Sequence, residues 1–361
     1  MNAQTEKNSD GFSREKEREG PLSIKTKVFY AFGEMPGAYM NLAIGMFALI
    51  YYSVVLGVSA STVGLVLGLA LFLDAICDPF VGAFSDQFKS RLGRRHPLMY
   101  VASIPMGVFI CLLFTPPQGL TENELISWLA VFLILTRVTF TFFSVPWSAL
   151  VAELTDSYEE RSVIPAYRIL ASTLLGGISA SLILKFVFTA TPEFPKGNEN
   201  LENYIFFGPR IGLLMAGWAL VSTHFTRSEI AYMYQAPPAS VVSFFGMFSS
   251  IWTALRSSNY RILLTAILLY FGVLGTLGQF DMFVNTYFWD LTTAQMGTLS
   301  LHAIPSPIFA FLVARPVQQR IEKKHILCGT ILLNMMLSLA AVSFRLGGFF
   351  PSNENPFFIP A

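Results

Sequence analysis

Residues 61–84 read STVGLVLGLALFLDAICDPFVGAF. A helix crossing the hydrocarbon core of a bilayer needs roughly 20 mostly apolar residues. This stretch supplies them, with Asp74 and Asp78 as its only charges. The whole chain shares the character: of 361 residues, 53% are hydrophobic, 14% aromatic and 13% charged, and the mean hydropathy is +0.54. A soluble protein carries roughly 25% charged residues, about twice the supply here. The composition therefore predicts an all-α polytopic membrane protein. Lys+Arg 24 against Asp+Glu 23 leaves a net charge of +1, which gives no electrostatic footprint for nucleic acid. Cys77, Cys111 and Cys328 all lie in apolar runs without metal-type spacing and read as small core residues.

Eight further apolar windows flank this one, giving nine: Val28–Gly57, Ser61–Phe84, Pro97–Phe114, Ile126–Val151, Ile164–Thr189, Tyr204–Thr223, Ile262–Phe288, Thr293–Ala314 and Ile326–Phe344. Lys and Arg collect in alternate connections: before the first window, at Lys89, Arg91, Arg94 and Arg95, at Arg227, Arg256 and Arg261, and at Arg315, Arg320, Lys323 and Lys324. Basic loops stay cytoplasmic, so the N-terminus is expected there. Residues 1–27 read as a disordered cytoplasmic tail and 28–225 as a six-helix bundle. Residues 226–259 follow as a cytoplasmic connector, with Val241–Leu255 suited to lie in the membrane interface. Residues 260–361 then give three helices of a second bundle, so about nine of twelve helices are expected and the chain reads as truncated after the ninth.

Three stretches carry chemistry. In LDAICDP, Leu73–Pro79, the carboxylates of Asp74 and Asp78 stand four residues apart and share one helix face. In low dielectric they repel, and a bound proton or monovalent cation relieves both. Pro79 cannot donate to the Ala75 carbonyl, which is left as a further oxygen. Intramembrane acids are costly and usually functional, although pairing with arginines to hold helices together is the plainer alternative. The loop GAFSDQFKSRLGRR, Gly82–Arg95, places Asp86, Gly93, Arg94 and Arg95 where they can latch helix ends as a gate, besides anchoring the basic side. In SVPWSALVAELTDSYEERSVIPAYR, Ser144–Arg168, Pro146 frees the Phe142 carbonyl beside Ser144, and the acids Glu153, Asp156, Glu159 and Glu160 can meet the basic latch. Arg168 lies deeper, and its guanidinium can bind a polyol or anionic headgroup, or neutralise Asp74 and Asp78.

These blocks, in this order, resemble the glycoside–pentoside–hexuronide:cation symporters, the melibiose-permease-like branch of the major facilitator superfamily. The resemblance covers the chain after its tail. It implies a coupling-cation site at Asp74 and Asp78 and a substrate contact at Arg168. Two positions depart from the sugar-transporting pattern. The fourth-helix acid of the cation site falls on Ser144, which favours proton over strict sodium coupling. The first-helix acid that holds sugar falls at Met35, beside Glu34. Sodium-coupled lysolipid transporters share the aspartate motif, so the branch leaves the substrate open. No metal beyond Na+ at Asp74 and Asp78, and no cofactor, is expected.

Among other intramembrane polar residues, Glu34 is a candidate substrate contact, and Tyr30, Tyr167 and Trp147 can stack on a sugar ring or simply pack. Arg137 and Asp281 read as lining residues or a structural pair. Gly33, Gly37, Gly64, Gly68, Gly176 and Gly177 read as close helix contacts. An enzyme is disfavoured: His96, His224, His302 and His325 are scattered, and no nucleotide-binding glycine loop occurs. The expectation is a monomeric, cation-coupled (Na+ or H+) symporter of a sugar-like solute in a plasma or bacterial inner membrane. A lysolipid symporter and a non-functional truncated transporter are the alternatives.

Overall fold

The structure, a computed structural model, describes residues 20–88, 90–155, 157–233, 253, 255–318 and 320–349. Most of the expected tail, nearly all of Val241–Leu255 and the final residues from 350 onward lie outside them. Among the described residues the secondary structure is helical, without strands. Eight continuous helices are long and apolar enough to cross a membrane: α1 (Ile24–Val55), α2 (Ala60–Gln87), α3 (His96–Leu113), α4 (Glu122–Leu154), α5 (Val163–Phe186, entered by a turn from Tyr158), α6 (Leu201–Tyr232), α7 (Ser258–Phe288) and, last in the chain, the helix at Lys324–Leu346.

The expected eighth window, Thr293–Ala314, is two helices, α8 (Thr293–His302) and α9 (Pro305–Gln318). Pro305 has no N–H for the Leu301 carbonyl, and its ring disfavours helix in the residue before it, so the chain breaks at Ala303–Ile304. The last helix is α10 (Lys323–Leu346). Elsewhere the helices outrun the apolar windows because polar caps lie outside the hydrocarbon. Helix α4 starts at Glu122 because Thr121 and Glu124 close a capping box, with the Thr121 N–H donating to Glu124 at 2.7 Å. Ser23 caps α1, its hydroxyl accepting from the Thr26 N–H at 3.0 Å.

Helix α1 is irregular where it matters. Pro36 cannot donate to the Phe32 carbonyl, which takes the Met35 N–H instead, tightening Phe32–Glu34 into a 3₁₀ turn. Glu34 ends that turn. Two π-helical stretches follow, Asn41–Ala48 and Tyr51–Val55.

Helix α3 packs between α4 and α6, α1 against α5 and α6, α2 against α4, and α5 against α8. One end of this bundle is filled by rings: Phe47 stacks on Phe188 at 4.3 Å and Tyr51 on Tyr204 at 4.3 Å. Helices α3 and α6 approach closely: a Cβ on Gly212 would lie 2.2 Å from the Gly107 carbonyl oxygen and one on Gly107 2.5 Å from that of Gly212. Gly208, four residues before Gly212, faces the Cys111 carbonyl, so small residues let the backbones touch. The glycines expected to do this are mixed. Gly33 meets Trp147, and an added Cβ on Gly37 would lie 3.3 Å from Phe140 and one on Gly177 3.0 Å from Ile304. Gly176 has only an ordinary contact, and Gly64 and Gly68 face open space.

Helices α7 and α10 bury none of their central apolar windows against protein. Leu269 on α7 is 66% exposed and Met336 on α10 65%, a surface suited to lipid rather than water. Cys77 and Cys111 are half-buried and Cys328 is exposed on α10, so the last is no core residue; none is in a disulfide.

Gly212→Val is expected to lower stability by about 2 kcal/mol through overpacking at α3–α6. Gly68→Ala is expected to leave it unchanged or slightly raised. Thermal unfolding in detergent, followed by tryptophan fluorescence, checks both.

Candidate functional site

Helices α2 and α4 run parallel and in register. The Arg137 guanidinium donates to the Asp74 carboxylate, and the Thr141 hydroxyl donates to Asp78 Oδ1 at 3.2 Å, both pairs 63 positions apart. The same offset of 63 joins the Ser59 N–H to Glu122 at one end of the pair. At the other end Gly82 faces Val145, 3.7 Å from an added Cβ. Two residues four apart on α2 thus meet two residues four apart on α4.

The Asp74 and Arg137 side chains are 21% and 10% exposed. By formal charge, Asp74, Asp78 and Arg137 sum to one net negative. Ser144 lies one turn beyond Thr141 on α4, and among the described residues it makes no hydrogen bond to either aspartate. Arg137 pairs with Asp74 and not with Asp281, which lies exposed on α7.

A second acid–base pair joins α1 to α5. Arg168 Nε donates to Glu34 Oε2 at 2.6 Å, so the alternative in which Arg168 neutralises Asp74 and Asp78 is not the observed arrangement. The pair lines a cavity of about 210 Å³ completed by Pro165, Ile169, Ser172 and Thr173. The Arg168 guanidinium also sits 4.3 Å from the centre of a Trp147 ring. Trp147 is 4% exposed, stacks on Tyr30 at 5.2 Å and donates from Nε1 to the Tyr30 carbonyl at 3.0 Å. Gly33 leaves room for it, since a Cβ there would lie 2.0 Å from Trp147 Nε1. Tyr30 and Trp147 are therefore packed supports under Arg168. Tyr167 is half-buried and does not line this cavity.

The basic loop sits at one end of the bundle. Glu153 at the end of α4 bridges Arg94 Nη2 and Arg95 Nε, each at 2.5 Å, and Asp86 lies 3.2 Å from Arg95 and 3.9 Å from Arg94. Gly93, at φ +72°, makes the left-handed turn that presents both arginines. Nearby, Glu160 ties α1 to α5. It accepts from Lys27 Nζ at 2.7 Å, from the Thr155 hydroxyl at 2.7 Å and from the Leu22 N–H at 3.0 Å. Asp156 and the Glu159 side chain lie outside the described residues.

At the opposite end, the loop between α5 and α6 grips the end of α7 and the start of α8. Lys196 donates to the Thr286 carbonyl at 2.7 Å, Asn198 to the Thr286 hydroxyl at 2.9 Å, Tyr287 to Glu199 at 2.8 Å and Thr293 to the Phe188 carbonyl at 2.6 Å. Asn198 and Thr286 are fully buried. Sequence reading missed this clasp and missed Thr141. The clasp joins loops far apart in the chain and has no local signal. Thr141 did have one: Arg137 and Thr141 repeat the four-residue spacing of Asp74 and Asp78.

The family profile described as MFS/sugar transport protein matches residues 29–359. The chain is 24% identical over 320 residues to the uncharacterized symporter YnaJ of Bacillus subtilis (strain 168), covering 88% of this chain and 66% of that protein. It is 25% identical over 222 residues to a glucuronide carrier protein homolog of Escherichia coli (strain K12), 61% of this chain and 47% of the relative. It is 31% identical over 166 residues to the sodium-dependent lysophosphatidylcholine symporter 1 of Mus musculus, 45% of this chain and 31% of the relative. The chain thus spans between about a third and two thirds of the length of these relatives.

The Glu160 tether sets a pH dependence. Burial alone would raise its carboxyl, but the hydrogen bonds from Lys27, Thr155 and Leu22 outweigh it and hold the pKa below the ordinary 4.5. A depressed carboxyl stabilises the fold above its unfolded value, and that stability is lost as pH falls below 4.5. Hydrogen exchange at Leu22 is expected to be unchanged between neutral pH and 5, after correction for the intrinsic rate, and to accelerate below 4.5. Glu160→Gln is expected to remove the acid step.

Proposed function

Since the chain belongs to the MFS/sugar transport protein family, we propose that it moves a small solute across a membrane by cation-coupled symport, with alternating exposure of a site inside the bundle. What supports this most is the α2–α4 cluster: two carboxylates on one apolar helix, Asp74 paired with Arg137 and Asp78 holding, among the described residues, a threonine hydroxyl. Asp78 is exposed on α2 rather than covered by protein, and an uncompensated carboxylate within a membrane-spanning helix is expensive, so the cluster favours adding one monovalent cation or proton at Asp78. Thr141 offers an oxygen there. Ser144, a turn away, is a further hydroxyl that a shift of α4 can bring in.

Arg168 and Glu34 are the proposed solute contacts. Each satisfies the other at the wall of the cavity, so an entering solute must replace a hydrogen-bonded ion pair with its own polar groups. A sugar or glycoside offers paired hydroxyls for that, a uronate adds a carboxylate, and a lysolipid offers its headgroup. The presence of both a glucuronide carrier homolog and a lysophosphatidylcholine symporter among the relatives fits the same chemistry. Tyr30 and Trp147 hold the guanidinium in place. In this reading residues 28–225 form one six-helix bundle, 226–259 a connector and 260–361 part of a second bundle. The end bearing Arg94 and Arg95 faces the cytoplasm, where Asp86, Gly93, Arg94, Arg95 and Glu153 gate one mouth of the pathway. Coupling requires that the doubly loaded protein interconverts most readily.

Uptake of labelled glycosides, glucuronides and lysophosphatidylcholine into proteoliposomes, under a sodium or proton gradient, tests this. Asp78→Asn is expected to abolish gradient-driven accumulation while leaving solute-dependent thermal shifts in place. Full accumulation by that variant would exclude Asp78 as the coupling site. Arg168→Ala is expected to abolish the solute shifts while leaving cation-dependent shifts.

A further inference from the structure

A second cavity, of about 340 Å³, opens between the start of α1 and the end of α6, outside the sites above. Lys25 and Arg227 line it with the hydroxyls of Ser23 and Ser228 and the ring of His224. Lys25, Arg227 and His224 are exposed. Lys25 leans over the Phe225 ring at 5.9 Å, and the Tyr100 hydroxyl lies 3.4 Å from His224 Nδ1. The carboxylate in the wall, Glu229, is buried and accepts from the Thr26 hydroxyl at 2.8 Å, so among the described lining residues there are two basic side chains and one acid.

The depth of the cavity identifies its ligand. Lys25 precedes the apolar window beginning at Val28 by about one helical turn, and Arg227 follows the window ending at Thr223 by about one turn. That is the level of lipid phosphates, on the side that carries the basic loops, where the leaflet is anionic. Phe225 in its wall is 43% exposed and stacks on Phe29 at 4.2 Å, and Ile24, between the lining residues Ser23 and Lys25 in the chain, is 68% exposed. Cations with hydroxyls at headgroup level, beside exposed apolar side chains at the hydrocarbon edge, match a phosphate ester that carries acyl chains. We propose that this cavity is a binding site for the headgroup of an acidic phospholipid, which bridges α1 and α6.

The test is thermal unfolding of the full chain in neutral maltoside micelles, titrated with phosphatidylglycerol, phosphatidylcholine or inorganic phosphate. Phosphatidylglycerol is expected to raise the midpoint by about 5 °C at saturation. Lys25→Gln/Arg227→Gln is expected to weaken that response about 30-fold, from roughly 1 kcal/mol per basic side chain. Lys25→Arg/Arg227→Lys, and Arg210→Gln on another part of α6, are expected to keep it. If the double glutamine variant shows no transition, the single variants carry the test, each with an expected loss of about fivefold. An undiminished response in the glutamine variants overturns the proposal. So does an equal response to phosphatidylcholine, or to inorganic phosphate at the same phosphate concentration.

Discussion

Two carboxylates can stay within the apolar stretch of α2 because α4 answers them at the same spacing. Asp74 meets Arg137 and Asp78 meets Thr141, and the constant offset between the helices lets both contacts form at once. In hydrocarbon neither a lone carboxylate nor a lone guanidinium would be tolerated, so the pairing fixes the register of α2 against α4. That register also brings Ser59 to Glu122 and Gly82 to Val145, near the two ends of the contact. Sliding either helix by one residue would rotate its polar face away from its partner.

The second intramembrane pair is built differently. Glu34 owes its place to Pro36, whose missing N–H tightens the turn before it, and Arg168 owes its orientation to Trp147. Trp147 fits only because residue 33 is glycine. The ion pair is half-shielded, with side chains 29% and 31% exposed, whereas Asp74–Arg137 is more deeply covered. The shallower pair lines a cavity, a position that suits exchange with an entering solute.

Much of this was legible in the chain. The apolar windows located every spanning helix among the described residues, because the length needed to cross hydrocarbon is fixed, but the window opening at Ile126 missed the capped start of α4 at Glu122. The split between α8 and α9 escaped because mean apolarity ignores the missing N–H of Pro305. The carboxylates and arginines stood out by their cost, but their pairing did not: Arg168 met Glu34 and Arg137 met Asp74, choices set by helix register. The Gly107–Gly212 contact was missed because spacing along one helix says nothing about which glycines face a partner.

The two ends of the bundle are fastened by different forces. At one end Glu153 and Asp86 hold Arg94 and Arg95 through ion pairs, some with half-exposed partners. At the other, Lys196, Asn198 and Thr293 donate mainly to carbonyl and hydroxyl oxygens, and the ion pair there, Lys196 to Asp290 at 3.0 Å, is on a 67% exposed aspartate. Mobile ions screen exposed charges over roughly 8–10 Å at physiological ionic strength and leave buried neutral hydrogen bonds nearly untouched. The salt content of the bathing solution therefore loosens the exposed Asp86 contacts at one end and the Lys196–Asp290 pair at the other, and leaves the covered Glu153 contacts and the neutral hydrogen bonds in place.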